Sequence, residues 1–289
     1  MDEQEALARL DGVVPSAGDD AAVVDGLVIS TDMLHASTDF PDGTTPYTAG
    51  WRAIGASLSD VAAVGADDPA AVAAYGVPEF EWDHLDAFLS GATDVCEAVG
   101  GEYVGGDLDG HDEFTVATTA IGHTDDPVRR SGARPGDVVC VTGTLGRSAG
   151  ALGLFRDGEH ERANDLFQFQ PRITAGRALA PHATAMMDSS DGLARSLHQL
   201  AAAGDCGFAI ESPLPVADVV GEFAADADER REMSVFFGED FELVCTLPED
   251  RVQAVREQIA VSLSVVGTVT EAEITLDGEP LPNRGFTHG

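Results

Sequence analysis

Two stretches in the N-terminal half carry apolar residues at helical spacing. The first covers residues 47–65, and the second covers residues 81–99 and stops at Gly100-Gly101. Residues three or four positions apart lie on one face of an α-helix, so each stretch predicts an amphipathic helix with a buried face. Gly65 stands where the first helix is expected to end, because glycine readily adopts the left-handed conformation found at many helix ends.

Short apolar runs bounded by turn residues predict the strands. In the N-terminal half these runs are residues 21–24, 27–30, 70–77 and 114–122, the first two joined by a hairpin at Asp25-Gly26, and a short helix is expected over residues 3–10. The first half is therefore expected to combine a sheet with two long helices.

A segment rich in proline, glycine and charged residues, 125–136, predicts a domain boundary. We accordingly divide the chain into residues 1–130 and 131–289. In the second part, strands are predicted at 138–142, 184–188, 207–211, 241–247 and 263–268, and helices from about residue 147 and over 172–180, 191–203 and 249–259. Strands and helices alternate in both parts, which predicts an α/β (α+β) protein of two domains.

The charge balance excludes several classes of function. The 289-residue chain has 51 acidic residues and 16 basic ones, a formal net charge of −35, and every basic residue is arginine. The absence of lysine excludes a P-loop and lysine Schiff-base chemistry. The negative charge disfavours binding to nucleic acid or to an anionic membrane surface. So acidic a protein is typical of a high-salt cytoplasm, where charge repulsion is screened over about 3 Å at 1 M salt.

Cysteine spacing and hydropathy indicate in which cellular compartment the protein is expected. The four cysteines form no Cys-x-x-Cys pair and predict neither a zinc site nor a disulfide framework. No apolar run reaches the roughly 18 residues of a membrane-spanning helix. The acidic first residues do not resemble a signal peptide. We therefore expect a cytoplasmic protein.

Several acidic residues follow glycine or serine where a predicted strand meets a turn or a helix. The segments are Gly18-Asp19-Asp20, Ser30-Thr31-Asp32, Ser59-Asp60, Gly105-Gly106-Asp107, Asp188-Ser189-Ser190-Asp191-Gly192 and Gly238-Glu239-Asp240. A lone aspartate in so acidic a chain is usually a surface charge, but a cluster of carboxylates repels itself unless a cation binds it. Mg²⁺ with bound phosphates suits such oxygen ligands. The residues alone leave open whether the site is catalytic or only binds cations.

The order of these motifs resembles that of the thiamine-monophosphate kinase family, within the aminoimidazole ribonucleotide synthetase superfamily. The segments that carry the resemblance are G-D-D-A-A, S-T-D-M-L, S-L-S-D-V-A-A-V-G-A, G-G-D, R-S-G-A-R-P-G-D, V-T-G-T-L-G, D-S-S-D-G-L and G-E-D-F-E-L, within residues 18–245, and Gly285-Phe286. Selenophosphate synthetases usually have a reactive cysteine or selenocysteine near the N-terminus, and the hydrogenase-maturation dehydratase ends in cysteine. This chain has no cysteine before Cys96 and ends in glycine, so it resembles the kinase more closely.

The resemblance implies direct transfer of the γ-phosphoryl group of ATP to thiamine phosphate, the last step of thiamine diphosphate biosynthesis, with no covalent enzyme intermediate. It implies several Mg²⁺ ions as cofactors. The implied fold is the two-domain aminoimidazole ribonucleotide synthetase-like fold, in which the N-terminal sheets of two protomers form a barrel-like homodimer. Another ATP-using enzyme of the superfamily, or a non-catalytic acidic cation-binding protein, is the alternative.

The resemblance also implies which residues form the site. The implied metal ligands are Asp20, Ser30, Thr31, Asp32, Asp60, Asp107, Asp188 and Asp191. The implied ATP contacts are Gly106, Asp107, Arg130 and Ser190, and the implied contacts to thiamine phosphate are Asp39, Glu239 and Phe286. Asp39 stands where the family often has a histidine, with His35 four positions earlier, so this substrate contact is expected to depart from the family's.

Overall fold

A computed structural model describes residues 18–286 of the chain. The short helix predicted over residues 3–10 lies outside the described residues. Within them, no helix is both long and apolar enough to cross a membrane. The chain folds into two mixed sheets with helices packed on them, which confirms the predicted α/β class.

Five strands form the N-terminal sheet. Their bounds are β1 Ala22–Val24, β2 Leu27–His35, β3 Asp67–Val77, β4 Glu102–Gly110 and β5 Thr115–His123. The order in the sheet is β1-β2-β5-β3-β4. Neighbouring strands are antiparallel except β3 and β4, which are parallel because helix Trp82–Ala98 connects them as a crossover.

Helices cover one face of this sheet. They are α1 Ala36–Asp39, α2 Pro46–Ala63 and α3 Trp82–Ala98. Thr45 caps α2, because its side chain accepts a hydrogen bond from the backbone N–H of Thr48. Gly65 follows the helix with a φ of +75°, the left-handed conformation expected there.

The opposite face of the sheet is open in the single chain. Met33 on β2 and Val104 on β4 are 60% and 59% exposed, which is unusual for large apolar side chains. No closed barrel forms within residues 18–286. A barrel-like assembly would therefore need the sheet of a second copy.

Seven strands form the C-terminal sheet. Their bounds are β6 Val138–Thr142, β7 Ala185–Asp188, β8 Gly207–Ile210, β9 Leu243–Leu247, β10 Leu263–Thr270, β11 Ile274–Leu276 and β12 Glu279–Pro280. They lie in the order β12-β11-β8-β10-β6-β9-β7, antiparallel except for the pair β11 and β8.

The helices of the second half are mostly short. They are α4 Arg147–Arg156, α5 His160–Phe167, α6 Ile173–Leu179, α7 Leu193–Gly204, α8 Val220–Phe223, α9 Ala227–Arg231 and α10 Val252–Arg256, with a π-helical turn at Glu232–Phe236 and a 3₁₀ turn at Glu249–Arg251.

One apolar core joins the two halves. Leu58 and Val61 of α2 belong to the same buried cluster as Ile173 of α6, Met186 of β7 and Cys245 of β9. Helix α2 is therefore packed between the two sheets, and its polar side chains lie at their junction. The division at residues 130 and 131 stays a prediction, since the core is continuous across it.

The structure departs from the predicted elements in several places. Strand β2 continues past residue 30 to His35, and Gly105-Gly106-Asp107 lies inside β4 rather than after a strand. The sequence of β2 does not alternate between apolar and polar residues throughout, because the polar residues Ser30 and Asp32 occupy inward-facing positions. The prediction therefore ended the strand too early. The helix predicted over 249–259 is a 3₁₀ turn and the short α10. Helix α5 and strands β11 and β12 were missed, because they are too short for a clear period.

Candidate active site

Three carboxylates from distant parts of the chain meet where the two halves join. Asp20 precedes β1, Asp60 lies near the end of α2, and Asp188 is the last residue of β7. One carboxylate oxygen of each lies within 4.8 Å of the others. The structure thus brings together three of the eight implied metal ligands, which we call the aspartate cluster.

Serine hydroxyls orient two members of the aspartate cluster. Ser30 Oγ donates a hydrogen bond to Asp60 Oδ2 over 2.5 Å, and Ser59 Oγ donates to Asp188 Oδ2 over 2.6 Å. Each bond joins different elements, β2 to α2 and α2 to β7. The serines of the two motifs therefore hold the carboxylates of neighbouring elements in place.

The alternation of side chains along β2 separates three neighbouring implied ligands. Ser30 and Asp32 face α2, where Ser57 Oγ donates to Asp32 Oδ2 over 2.8 Å. Thr31 faces the open side of the sheet, and its Oγ1 donates to the backbone oxygen of Thr118 over 2.7 Å. Asp32 is therefore next to the aspartate cluster, whereas Thr31 lies away from it.

Burial and mutual repulsion make two members of the aspartate cluster, Asp60 and Asp188, hard to ionise. Desolvation raises the pKa of Asp60 well above its usual value, and the neighbouring aspartates raise it further. Desolvation, and then the charge of Asp20, raise the pKa of Asp188 to about 7, while the hydrogen bond from Ser59 lowers it. A divalent cation would relieve this repulsion. The all-oxygen donor set fits Mg²⁺, which prefers carboxylates and water.

Arg130 borders the aspartate cluster. Its Nε and Nη2 donate to the two carboxylate oxygens of Asp20 over 3.2 and 3.0 Å. Burial lowers the pKa of Arg130, but the charge and hydrogen bonds of Asp20 outweigh this effect and raise it above the ordinary value. The adjacent Arg129 pairs with Asp19 over 2.8 Å. Arg130 is therefore a permanent cation at the edge of the cluster.

Two implied binding segments contact each other nearby. The backbone N–H of Glu239 donates to the oxygen of Ser190 over 2.6 Å, and that of Phe286 donates to the oxygen of Asp191 over 3.0 Å. The Ser190 N–H in turn lies 3.4 Å from Asp188 Oδ1. Backbone hydrogen bonds thus connect the implied substrate residues to the aspartate cluster.

Gly106 and Asp107 are not part of the aspartate cluster. They lie on the edge strand β4, where both are exposed. The carboxylate of Asp107 accepts a hydrogen bond from the N–H of Leu108 over 2.9 Å. Their implied contacts with ATP and metal stay predictions.

Asp39 is buried at the end of α1. Its Oδ2 accepts hydrogen bonds from the His35 N–H and from Thr38 Oγ1, each over 2.7 Å. The His35 ring lies 3.0 Å from Thr115 Oγ1. Burial lowers the pKa of Arg52, and the charge of Asp39 is among those that oppose this effect.

Three arginines at this junction were not among the predicted site residues: Arg52, Arg147 and Arg172. Arg52 is 1% exposed in the middle of α2, its Nη2 donates to Glu239 Oε2 over 2.6 Å, and its Cζ lies 3.5 Å from the centroid of the Phe167 ring. Burial lowers the pKa of Arg52, and the charge of Glu239 opposes this. An arginine within the apolar pattern of a helix was the sequence signal that could have identified it.

A cavity of about 430 Å³ lies beside Phe286. Its lining includes Phe237, whose ring centroid is 5.9 Å from that of Phe286, together with Glu229 and Glu232. Arg284 pairs with Glu232 over 2.6 Å at the same place. Aromatic rings beside carboxylates suit a flat cationic heterocycle.

Comparison with known proteins shows to which family the chain belongs. Residues 18–124 match the model for AIR synthase related protein, N-terminal domain, and residues 134–277 match the model for the C-terminal domain. The chain is 64% identical to a thiamine-monophosphate kinase of Halobacterium salinarum, over 100% of both chains. The chain belongs to the thiamine-monophosphate kinase family.

Further relatives agree with this membership. A thiamine-monophosphate kinase of Methanospirillum hungatei is 39% identical, over 100% of this chain and 99% of the relative. The solved structure of AaThiL complexed with AMPPCP and TMP matches with a TM-score of 0.90 and 28% identity, over 100% of this chain and 97% of that chain. HypE of Escherichia coli, a hydrogenase maturation protein, shares the fold at a TM-score of 0.70 and 22% identity, over 94% of this chain and 91% of that chain. The expected thiamine-monophosphate kinase family is confirmed over the hydrogenase-maturation alternative.

Proposed function

We propose that this chain transfers the γ-phosphoryl group of ATP to thiamine phosphate, which yields thiamine diphosphate and ADP. The observation that carries the proposal is the hydrogen-bonded connection between the aspartate cluster and the segment containing Glu239. A relative of the same fold is described as a complex with AMPPCP and TMP, an ATP analogue and the phosphate acceptor. In the reaction a phosphate oxygen of the acceptor bonds to the γ-phosphorus, and the bond from that phosphorus to the bridging oxygen of ADP breaks.

Mg²⁺ would be held by Asp20, Asp60 and Asp188, with Asp32 beside them. Bound Mg²⁺ supplies charge neutralisation for the phosphates, which is a large part of catalysis in phosphoryl transfer. The geometry supports this assignment because buried carboxylates with raised pKa values need a cation to remain ionised together. The further ligands implied by the family, Ser30, Thr31, Asp107 and Asp191, remain part of the proposal.

The side chains of the protein position the reactants and neutralise their charge. Arg130 is held by Asp20 with its guanidinium at the cluster, where it would pair with a donor phosphate. Ser190, Gly106 and Asp107 are the other proposed ATP contacts. No general base is needed, because a phosphate monoester with a second pKa near 6 is already largely dianionic at neutral pH.

The cavity beside Phe286 is the proposed place for the heterocycles of thiamine phosphate. The positively charged thiazolium ring would lie against Phe286 and Phe237, with Glu229 compensating its charge, since Glu232 is paired with Arg284. Glu239 follows Phe237 by two residues, and Arg52 fixes its carboxylate. Asp39 remains the proposed replacement for the histidine of the family.

We also propose that the protein forms a homodimer and is located in the cytoplasm. The open face of the N-terminal sheet, with Met33 and Val104 exposed, supports a homodimer formed through that face. A cytoplasmic location fits four buried, unpaired cysteines. The net charge of −35 favours neither nucleic acid nor membranes as partners.

A product assay tests the proposed function. The purified chain is incubated with ATP, Mg²⁺ and thiamine phosphate in about 3 M KCl, where a protein of this charge is well screened. Chromatography should then show thiamine diphosphate and an equal amount of ADP. Parallel incubations with EDTA, or with thiamine in place of thiamine phosphate, should give no thiamine diphosphate. Metal binding without product would instead support the non-catalytic cation-binding alternative.

A further inference from the structure

Arg147 is a buried cation with unused hydrogen-bond donors. It is the first residue of α4, and its Nε and Nη2 atoms are buried with no hydrogen-bond partner within residues 18–286. The Cζ atom of Arg147 lies 5.9 Å from the centroid of the Phe169 ring, but a ring does not replace the missing hydrogen-bond acceptors. Buried polar atoms of a charged group without acceptors are costly and rare, unless a ligand completes them.

The two carboxylates whose charges act on Arg147, Asp240 and Glu242, already accept hydrogen bonds from other donors. Asp240 accepts hydrogen bonds from the N–H groups of Gly146 and Ser148 over 2.5 and 2.9 Å. Glu242 accepts two from Arg172, to Oε2 over 2.7 Å and to Oε1 over 2.5 Å. Neither carboxylate forms a hydrogen bond with Arg147.

Of the three arginines at this junction, Arg147 is the one without an ion pair to a described residue. Arg52 pairs with Glu239, and Arg172 pairs with Glu242. Desolvation lowers the pKa of Arg147 to about 10, with smaller contributions from the charges of Arg172 and Arg52 and against the opposing charges of Glu242 and Asp240. The two unpartnered nitrogens of Arg147 therefore suit an anion that offers several oxygen acceptors.

We propose that Arg147 binds the phosphate group of thiamine phosphate, the acceptor. The inference rests on the proposed function. Ser148, next to Arg147, donates through Oγ to the backbone oxygen of Glu239 over 2.6 Å, so Arg147 lies at the segment assigned to the acceptor. Arg130, by contrast, is held at the aspartate cluster by Asp20, where the phosphates of ATP are placed. Each reactant's phosphate would then have its own arginine.

The assignment makes Arg147 a specificity residue. The phosphate is the only part of thiamine phosphate that thiamine lacks, so Arg147 would discriminate between the two. An arginine binds a phosphate through opposite charges and paired hydrogen bonds. Salt screens such a pair much less when it is buried than when it lies on the surface. Its contribution should therefore persist in molar KCl.

Calorimetric titration of three variants tests the proposal. Arg147→Gln should raise the Kd for thiamine phosphate tenfold or more, and leave the Kd values for thiamine and for ATP within twofold. Arg147→Lys, which keeps the charge, should recover part of the lost affinity. Arg177→Gln removes the same charge from an exposed arginine paired with Asp67 and should leave all three constants unchanged.

Unfolding temperatures separate a binding role from a structural one. Because the buried nitrogens of Arg147 have no partners, Arg147→Gln should melt at or above the temperature of the wild type. A lower melting temperature, an equal loss of affinity for thiamine and thiamine phosphate, an unchanged Kd for thiamine phosphate, or a loss confined to ATP would each overturn the assignment. Product formation by the wild type tests the proposed function separately, since the binding comparison needs no turnover.

Discussion

Ser59 Oγ donates a hydrogen bond of 2.6 Å to Asp188 Oδ2, which joins helix α2 of the N-terminal half to the end of strand β7 in the C-terminal half. Both side chains are buried. The hydroxyl lowers the pKa of Asp188, which burial otherwise raises. The packing of the two halves is thereby linked to the charge of a proposed metal ligand.

Replacing Ser59 tests this link. Ser59→Ala removes the donor, so the pKa of Asp188 should rise further and the Mg²⁺ concentration for half-maximal turnover should increase several-fold at pH 7. The increase should shrink at pH 9, where Asp188 is ionised in both proteins. Ser90→Ala, on the exposed side of α3, is the matched control. A Mg²⁺ dependence equal to that of the wild type at both pH values would contradict the link.

Removing one charge from the aspartate cluster should abolish most turnover. Asp60→Asn and Asp188→Asn keep the side-chain shape but remove a proposed Mg²⁺ ligand, and a loss of several kcal/mol of charge stabilisation corresponds to about 10²-fold or more in kcat. Steady-state kinetics at saturating Mg²⁺ measures the loss. Asp86→Asn, an exposed change on α3 with the same effect on net charge, should alter kcat less than twofold. Near-normal kcat in both cluster variants would show that the cluster is not the metal site.

The metal-free protein should become less stable as pH rises. The pKa values of Asp60, Asp188 (about 7) and Asp240 (about 6) are raised in the folded protein, while unfolded aspartate titrates near 3.9. Between about pH 4 and 7 the folded state therefore binds more protons than the unfolded chain, and the free energy of unfolding falls.

Thermal melts measure this dependence directly. In EDTA and constant KCl, Tm should be lower at pH 7.5 than at pH 5.5, and saturating Mg²⁺ should remove most of the difference. Asp188→Asn should show a smaller fall than Asp86→Asn, although both lose one potential charge. A Tm that rises through this window without metal would be inconsistent with the raised pKa values.

Phe286 should affect the acceptor but not ATP. Phe286→Ala removes one aromatic wall of the 430 Å³ cavity, and a cation–π contact is worth on the order of 0.5–2 kcal/mol, so the KM for thiamine phosphate should rise several-fold. The KM for ATP should remain within twofold. Phe80→Ala, at an exposed phenylalanine, is the control. Equal changes in the two KM values would place Phe286 outside the acceptor pocket.

Salt should stabilise the fold. With a net charge of −35, repulsion in the folded protein grows as screening is removed, so Tm should rise steadily between about 0.1 and 3 M KCl. Sucrose at matched osmolality should not reproduce the rise at the low-salt end. A Tm that does not change with KCl would refute adaptation to a high-salt cytoplasm.

Much of the fold follows from local pattern. The helices α2 and α3 and the strands β3, β5 and β6 lie within a few residues of their predicted bounds, because their apolar periods are long or their runs are flanked by clear turn residues. The predicted strand at 27–30 ended five residues before β2 does, and the full length of β4 was not predicted. In both, residues that carry the site motifs replace the apolar residues that signal a strand.

The sequence by itself determined the kind of chemistry and the family. Aspartates next to serine and glycine indicated oxygen ligands for a cation, the absence of lysine excluded a P-loop, and the motif order identified the family, which the relatives confirm. Those properties depend on residue type and order, which need no coordinates. The aspartate cluster, however, joins residues 20, 60 and 188, and only the packing of α2 between the two sheets decides which carboxylates meet.

Tertiary structure alone also decided which side of each element faces the site. Thr31 and Asp32 are adjacent in sequence, yet side chains alternate along β2, so one faces the open sheet and the other faces α2. Arg147 looks in the sequence like any other arginine of an acidic chain. Two of its guanidinium nitrogens lack acceptors within the described part of the chain only because folding gives the carboxylate oxygens of Asp240 and Glu242 to other donors, and such competition for partners is a property of three-dimensional packing.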